Sequence, residues 1–192
     1  SSAASDVYKR QLDYVSDMLH IMGSFIVSSI RRRNLLRQLE RMSYRDQLTQ
    51  FGNRYAVDWF VEHEWNGEQI GVVYCDITGL KKVNDEQGHE AGDRLIIRAC
   101  ECLAGVFKGY GLYRIGGDEF LVLCLGIEEK DLREHVEKLR MDMKEHQVTM
   151  AVGMIWKEHG PKDIDLLLNE SERLMYEDKD RYYKEHGLKR RR

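Results

Sequence analysis

Two acidic residues directly follow a pair of glycines near the middle of the chain, in the run Arg114-Ile115-Gly116-Gly117-Asp118-Glu119-Phe120. Apolar runs flank this stretch on both sides, which predicts two strands joined by a two-residue hairpin with φ > 0 at both glycines. Glycine also lets a main chain approach a ligand closely. Since side chains alternate along a strand, we expect Asp118 and Glu119 on opposite faces, where one can bind a metal and the other can face a substrate or a second chain. Taken alone, the same run is an ordinary turn followed by exposed acids.

A further carboxylate ends an apolar stretch. Residues Ile70 to Ile77 are nearly all apolar and predict a buried central strand, with Asp76 at its C-terminal end. A carboxylate in that place is costly unless it is paired or metal-bound. If this strand neighbours the one after the hairpin, Asp76 and Asp118 meet at one edge of the sheet. Such a pair suits Mg²⁺, which takes its remaining oxygens from water and phosphate, as nucleotidyl transfer requires.

The remaining periodicity predicts alternating helices and strands. The expected elements are a helix from Arg54 to about Trp65 capped by Asn53, the strand Ile70–Ile77, a polar loop Gly79–Gly88, a helix from about Glu90 to Phe107, hairpin strands Leu112–Ile115 and Phe120–Leu125, a helix Glu128–Glu145, a strand Val148–Trp156 and a helix from Ile164 to about His186. Strands separated by helices, with one hairpin, predict an α/β (α+β) fold of ferredoxin-like type, an antiparallel-containing sheet with packed helices.

Composition narrows the class of protein. With 192 residues and 42% apolar content, the chain suits one compact domain plus an appended element. A net charge of −3 argues against nucleic-acid binding through a basic surface. The uncharged stretch Ile21–Ile30 is well short of the ~20 residues of a membrane span, so no membrane segment is expected. Four cysteines lie in apolar runs and indicate reduced core residues of a cytoplasmic protein. They are Cys75, Cys100, Cys102 and Cys124.

The two ends of the chain are interpreted separately from the predicted domain. Residues 1–11 resemble a translated sequencing adapter, so we exclude them from fold reasoning. Residues 12–45 predict a long helix whose apolar seam begins with Leu12, Val15 and Leu19. The helix either pairs with the same helix of another chain or packs on its own domain, and the pattern leaves both open. Residues 189–192 form a basic, solvated tail.

Several separate motifs, in order, resemble the GGDEF family, the diguanylate cyclases. They are the hairpin run, Asp76-Ile77-Thr78-Gly79-Leu80-Lys81-Lys82-Val83-Asn84-Asp85, Gly88-His89-Glu90-Ala91-Gly92-Asp93, the opening Asp46-x-Leu-Thr with Asn53-Arg54, and the closing Met175-Tyr176-Glu177-Asp178-Lys179. The resemblance spans about Asp46 to His186, within a domain set at 46–188. The stretch Tyr14–Glu40 weakly resembles the last helix of a GAF-type sensor domain, which implies an upstream sensor domain outside this chain.

The resemblance implies condensation of two GTP molecules into cyclic di-GMP and two pyrophosphates. Asp76, the Ile77 carbonyl and Asp118 would bind Mg²⁺, with Mn²⁺ as the alternative ion. Guanine would be held by Asn84, His89 and Asp93. Guanine presents N1–H and N2–H donors on one edge, and the Asp93 carboxylate can accept from both, which adenine cannot match. Asp93 therefore argues against a mixed guanine–adenine product.

The same resemblance gives roles to the remaining motif residues. Lys81 and Lys179 would neutralise phosphate charge, with Lys81 favoured as the residue that stabilises the transition state. Either Asp118 or Glu119 would help to remove the 3′-hydroxyl proton, and the sequence does not separate them. Three further substrate contacts are implied, at Leu80, Gly116 and Gly117.

The chain also departs from the family pattern. Thr78 replaces a frequent second aspartate, Gln50 replaces a usual glycine, and Asp180-Arg181-Tyr182-Tyr183 lacks the usual Gly-Arg, so a phosphate-binding arginine is either missing or moved to Arg181 or Lys184. The Arg-x-x-Asp product-inhibition motif is replaced by Phe107-Lys108-Gly109-Tyr110, so we expect no feedback inhibition there.

Two functions of different class follow. The first is a Mg²⁺-dependent cyclase. It would act as a homodimer through the N-terminal helix, because each subunit supplies one GTP half-site. The alternative is a catalytically silent module that binds GTP or cyclic di-GMP and signals through that helix. Intact Asp76, Asp118 and Glu119 favour the enzyme.

Overall fold

The computed structural model describes residues 18–36, 39, 44–161 and 163–187. The chain divides into two compact units, Ser1–Ser43 and Tyr44–Arg192. The predicted leader and tail, and residues 12–17 of the predicted long helix, lie outside the described residues.

The first unit contains helix α1, residues 18–36. Its apolar side chains are exposed within this chain, with Phe25 74% and Ile21 69% accessible. The prediction that this helix continues to Arg45 is wrong at its end, since Tyr44 and Arg45 are not helical. Arg45 instead pairs with Gly52 in an isolated bridge, and its guanidinium donates to the Gln50 carbonyl. Among the described residues, no helix has the length and apolar content needed to cross a membrane.

The second unit is a four-stranded antiparallel sheet with helices on both faces. Its elements are α2 (Arg54–His63), β1 (Ile70–Ile77), α3 (Leu80–Gln87), α4 (His89–Val106), β2 (Gly111–Arg114), β3 (Glu119–Leu125), α5 (Glu129–Glu145), β4 (Met150–Lys157) and α6 (Asp165–Glu185). The strand order is β2-β3-β1-β4 and every pairing is antiparallel. This order, with helical crossovers after β1 and β3, confirms the predicted ferredoxin-like sheet.

Strand β1 is buried along all eight residues because both faces of the sheet are covered. Val73, Cys75 and Ile77 belong to a core shared with α4 and α5, whereas Val72 and Tyr74 belong to a second core shared with α2 and α6. Alternate residues of β1 therefore reach different helical layers. All four cysteines are buried and free, as predicted.

One predicted loop is a helix. Residues Leu80–Gln87 form α3, where the sequence indicated a polar connection. Only Leu80 of this helix is buried, so the apolar periodicity that marks an amphipathic helix is nearly absent. Gly79 and Gly88, with φ of 87° and 82°, flank the two-turn helix. Asn53 caps α2 as predicted, its side chain accepting from the Ala56 N–H at 3.1 Å.

Candidate functional site

The strand register brings the predicted acids together. β1 and β3 are neighbours, as expected, and Asp76 lies directly opposite Glu119. Directly opposed residues in an antiparallel pair share a face, so these two side chains lie on the same side of the sheet. The Ile77 N–H donates to the Asp118 carbonyl at 2.9 Å, which ties the end of β1 to the hairpin.

Asp76 is almost completely buried, at 4% exposure, and is paired. Its Oδ1 accepts from Lys179 Nζ at 2.6 Å, and the lysine side chain is 14% exposed. A buried carboxylate needs such a partner to stay ionised. Lys179, for which the sequence predicted phosphate neutralisation, thus also neutralises Asp76 from α6.

The hairpin differs from its prediction. Arg114 pairs with Phe120, and the Ile115 N–H donates to the Glu119 carbonyl at 3.0 Å, so the turn contains Gly116, Gly117 and Asp118. Neither glycine has a positive φ, so the predicted two-residue turn is wrong. Asp118 lies in the turn and Glu119 begins β3, so strand alternation does not apply to this pair.

The space around the two glycines differs, because only position 116 lies against another side chain. A Cβ at Gly116 would overlap the Glu119 carboxylate, whereas a Cβ at Gly117 would meet nothing within 4 Å. The Glu119 side chain therefore folds back over Gly116.

Glu119 titrates in an acidic neighbourhood. Burial raises its pKa, and the charges of Asp118, Asp76 and Glu172 raise it further, while Lys179 acts in the opposite direction. Several carboxylates close together repel one another, and a divalent cation would relieve that repulsion.

A network of hydrogen bonds around Asp46, which the sequence did not reveal, holds the glycine turn of the hairpin in place. Asp46 Oδ1 accepts from the Thr49 N–H at 2.9 Å, the Thr49 hydroxyl at 2.7 Å and Arg114 Nη1 at 3.1 Å. Arg114 Nη2 donates to the Gly117 carbonyl at 2.7 Å. The opening Asp-x-Leu-Thr turn thereby positions the glycine turn through Arg114. Both residues lay in recognised motifs, but a pairing across 68 positions leaves no local signal.

The predicted guanine residues lie on α3 and α4. Asn84 packs against Gly92, where a Cβ would overlap its Oδ1. That Oδ1 is buried, and no hydrogen-bond partner for it exists among the described residues. Asp93 follows Gly92 directly and is exposed, as is His89 at the first position of α4.

The other predicted substrate residues are divided between core and surface. Leu80, the first residue of α3, is buried and belongs to the core, whereas Lys81 beside it is exposed. Arg181 pairs with Asp178 at 3.5 Å. The same aspartate also accepts from Arg140 at 3.2 Å and from the Val152 N–H at 2.9 Å. Arg181 thus belongs to a network at the edge of β4.

The donor set fits Mg²⁺ bound together with a triphosphate. Asp76, the Ile77 carbonyl and Asp118 supply oxygen only, and Mg²⁺ typically takes one or two carboxylates plus substrate phosphates. Across the described part of the chain, no cluster of three or more His, Cys, Asp or Glu is arranged as a metal site on its own. Phosphate oxygens would therefore complete the coordination.

Comparison with known proteins assigns the family. Residues 43–184 match the model of the diguanylate cyclase GGDEF domain, and the chain belongs to this family. It is 26% identical over 199 residues to the Escherichia coli protein named diguanylate cyclase DgcP, covering 92% of this chain and 58% of that protein. It is 30% identical over 174 residues to cyclic di-GMP phosphodiesterase PdeR of the same species, covering 82% and 25%.

A solved structure shares the fold. The coiled coil and GGDEF domain of Caulobacter crescentus DgcB, in complex with c-di-GMP, superposes with a TM-score of 0.64 at 20% identity, covering 87% of this chain and 94% of that one. The chain spans 49%, 25% and 58% of the length of three curated relatives that it matches.

Proposed function

We propose that the chain is a Mg²⁺-dependent diguanylate cyclase that condenses two GTP into cyclic di-GMP and two pyrophosphates. One observation carries the proposal: the β1–β3 register places Glu119 opposite Asp76, with the Asp118 main chain bound to Ile77 and Lys179 on Asp76. Motif residues more than 100 positions apart, such as Asp76 and Lys179, thus meet at one sheet edge.

The chemistry assigned to these residues is two nucleotidyl transfers. In each, the 3′-oxygen of one GTP forms a bond to the α-phosphorus of the other, the bond to pyrophosphate breaks, and the hydroxyl proton passes to Asp118 or Glu119. Asp76, the Ile77 carbonyl and Asp118 would hold Mg²⁺, which when bound would supply charge stabilisation at the phosphates. Lys81 stabilises the charge that develops in the transition state. Asn84, His89 and Asp93 hold guanine, and the unpartnered Asn84 Oδ1 is an acceptor for a guanine N–H donor.

Dimerisation is part of the proposal, since each subunit supplies one half-site. Helix α1 presents a run of apolar side chains that are exposed among the described residues, and such a face suits a coiled coil with a second copy. If a chain starting at Ser43 cyclised GTP as fast as the full chain at equal concentration, the helix would not be needed.

The first test is incubation of the full chain with GTP and Mg²⁺, with chromatographic separation of products, beside Asp118→Ala. Cyclic di-GMP from the wild type alone supports the cyclase and the role of the carboxylate. A wild type that forms no product, even when dimerised through a fused coiled coil, overturns it.

A silent module is the second candidate. The substituted Gly-Arg position supports it, because Arg181 is engaged by Asp178 and tyrosines occupy 182 and 183. A match to a protein named as a phosphodiesterase is also consistent with it. GTP binding by calorimetry without turnover, in the coiled-coil fusion, is the result that distinguishes this candidate.

A further inference from the structure

A cavity of about 260 Å³ lies next to Thr78, the residue that follows strand β1. Its lining residues come from the end of β1, helices α3 and α4, and the segment before β4. Its six polar lining residues are Thr78, Gln87, Arg94, Arg98, Gln147 and Thr149, and the other three are apolar. None of the described residues that line it is acidic, although the chain carries 33 acids against 30 Lys and Arg. The residues assigned to GTP and metal do not line it.

Two hydrogen-bonding groups at this cavity lack a partner. Arg98 Nε and Thr78 Oγ1 are both buried, with no hydrogen-bond partner among the described residues. A buried donor left unpaired destabilises the fold, and more so when it is charged. Arg98 Nε can only donate and the Thr78 hydroxyl can donate, so one acceptor-rich ligand can satisfy both groups.

A second guanidinium is available at the same cavity. Arg94 is separated by 4.0 Å from Glu90, whose side chain is 95% exposed. Exposed pairs of this kind contribute little and exchange partners readily. Gln147, which also lines the cavity, holds a left-handed φ of 55°, a conformation that non-glycine residues rarely adopt.

We infer that this cavity binds a small phosphate anion, either inorganic phosphate or diphosphate. Two guanidinium groups, two hydroxyls and two amides surround it, and the planar fork of arginine matches phosphate oxygens. Its volume is below the roughly 300–1,000 Å³ of pockets for drug-sized ligands, which suits a small anion better than a nucleotide. Thr78 follows Asp76 by two residues. The anion would therefore bind next to, but outside, the end of the sheet that carries Asp76, Asp118 and Glu119, which we call the carboxylate edge. The inference is independent of cyclase activity.

The test is calorimetric titration of the full chain with sodium phosphate, and separately with sodium diphosphate, at constant ionic strength without divalent cation or nucleotide. Arg98→Gln and Thr78→Val are each expected to weaken binding about tenfold or more, as loss of a charge-assisted hydrogen bond does. Arg133→Gln is the matched control, because Arg133 is an exposed arginine on α5 paired with Glu129. It should bind as the wild type does.

Lys81→Ala separates this cavity from the candidate active site. Retained binding in Lys81→Ala, with loss in Arg98→Gln, supports the inference. Loss in Lys81→Ala with retention in Arg98→Gln overturns it, as does a wild type that binds neither anion at millimolar concentration. If circular dichroism shows that Arg98→Gln does not fold, Thr78→Val decides, since it removes only a hydroxyl. Tighter binding of diphosphate would identify the leaving group of nucleotidyl transfer as the ligand, and tighter binding of phosphate the free anion.

Discussion

The carboxylate edge of the sheet and the helical side of the candidate site differ in how completely the fold sets their geometry. At the carboxylate edge, Asp76 is buried, paired with Lys179 at 2.6 Å and held in register with Glu119. On the helical side, His89 and Asp93 are exposed, and the Asn84 Oδ1 is without a partner among the described residues.

This difference separates two kinds of contribution. Groups held by strand pairing and a buried ion pair are preorganised, so they can act on charge that develops in the transition state. The polar side chains on α3 and α4 gain most of their hydrogen-bond partners only when guanine binds. We therefore expect substitutions of Asp76, Asp118 and Glu119 to act on kcat, and substitutions of the guanine-binding residues on α3 and α4 to act on KM.

The largest expected effect is at Asp76. Asp76→Asn removes a proposed metal ligand and leaves Lys179 buried without its partner, so cyclic di-GMP formation should fall by about a thousandfold or more. The measurement is kcat at saturating GTP and Mg²⁺. Asp85→Asn, an exposed acid on α3, is the matched control and should keep its activity.

Folding must be checked in the same experiment, since removing one partner of a buried ion pair typically costs about 3–5 kcal/mol. If Asp76→Asn does not fold, Asp118→Asn tests the same edge from the partly exposed turn. Full activity in a folded variant of either kind would contradict the assignment of this edge.

Asp93 should give the next largest effect, and this effect should be on KM for GTP, whereas Asp76 affects kcat. Asp93→Asn loses a charged acceptor for the guanine N1–H and N2–H donors, so KM for GTP should rise about 10- to 100-fold with a smaller change in kcat. Glu101→Gln on the same helix is exposed and serves as control. A fall in kcat at unchanged KM would contradict the proposed difference between the carboxylate edge and the guanine-binding residues on α3 and α4.

The sheet edge could be predicted from sequence because its signals are local. An apolar run ending in an acid gave β1 with its observed bounds, Ile70–Ile77, and the glycine pair located the hairpin. Helix α3 was missed since only Leu80 of its eight residues is buried, so its polar surface looked like a loop.

The details that depend on tertiary contacts could not be predicted. Local propensity predicted a hairpin turn of two residues, Gly116 and Gly117, but the observed turn also contains Asp118. The register of β3 against β1 and the reach of Arg114 to Asp46 depend on pairing between distant segments, which a single sequence does not show. The site assignments themselves stay predictions.

Gly116 offers a smaller test of how the turn is fixed. Gly116→Ala places a Cβ where the Glu119 carboxylate lies, so this flexible side chain must move to another rotamer and the free energy of unfolding should fall by about 0.5–1.5 kcal/mol. Gly117→Ala meets open space and should change it by less than about 0.5 kcal/mol. Denaturant unfolding measures both. Equal losses would show that main-chain conformation, rather than crowding by Glu119, requires glycine here.

A further stability test concerns the hydrogen bonds that Asp46 accepts from Thr49 and Arg114. Burial raises the pKa of Asp46, but hydrogen bonds from Thr49 and Arg114 and the Arg114 charge outweigh it, so the folded-state pKa lies below the ordinary 3.8. A lowered pKa means that the ionised carboxylate stabilises the fold above the unfolded value, and that this contribution is lost as pH falls through the folded value.

Asp46→Asn should therefore lower the free energy of unfolding by about 1–2 kcal/mol at pH 7, as loss of a charged hydrogen bond does. The difference from the wild type should shrink as pH falls below 3.8. Denaturant titrations of both proteins between pH 7 and the lowest pH at which the wild type stays folded measure it. Asp58→Asn, which removes an exposed ion pair with Arg54, should show little difference at any pH. A constant Asp46→Asn deficit down to that lowest pH would mean that the lost contribution comes from packing, and that the Asp46 charge does not hold Arg114 and the glycine turn in place.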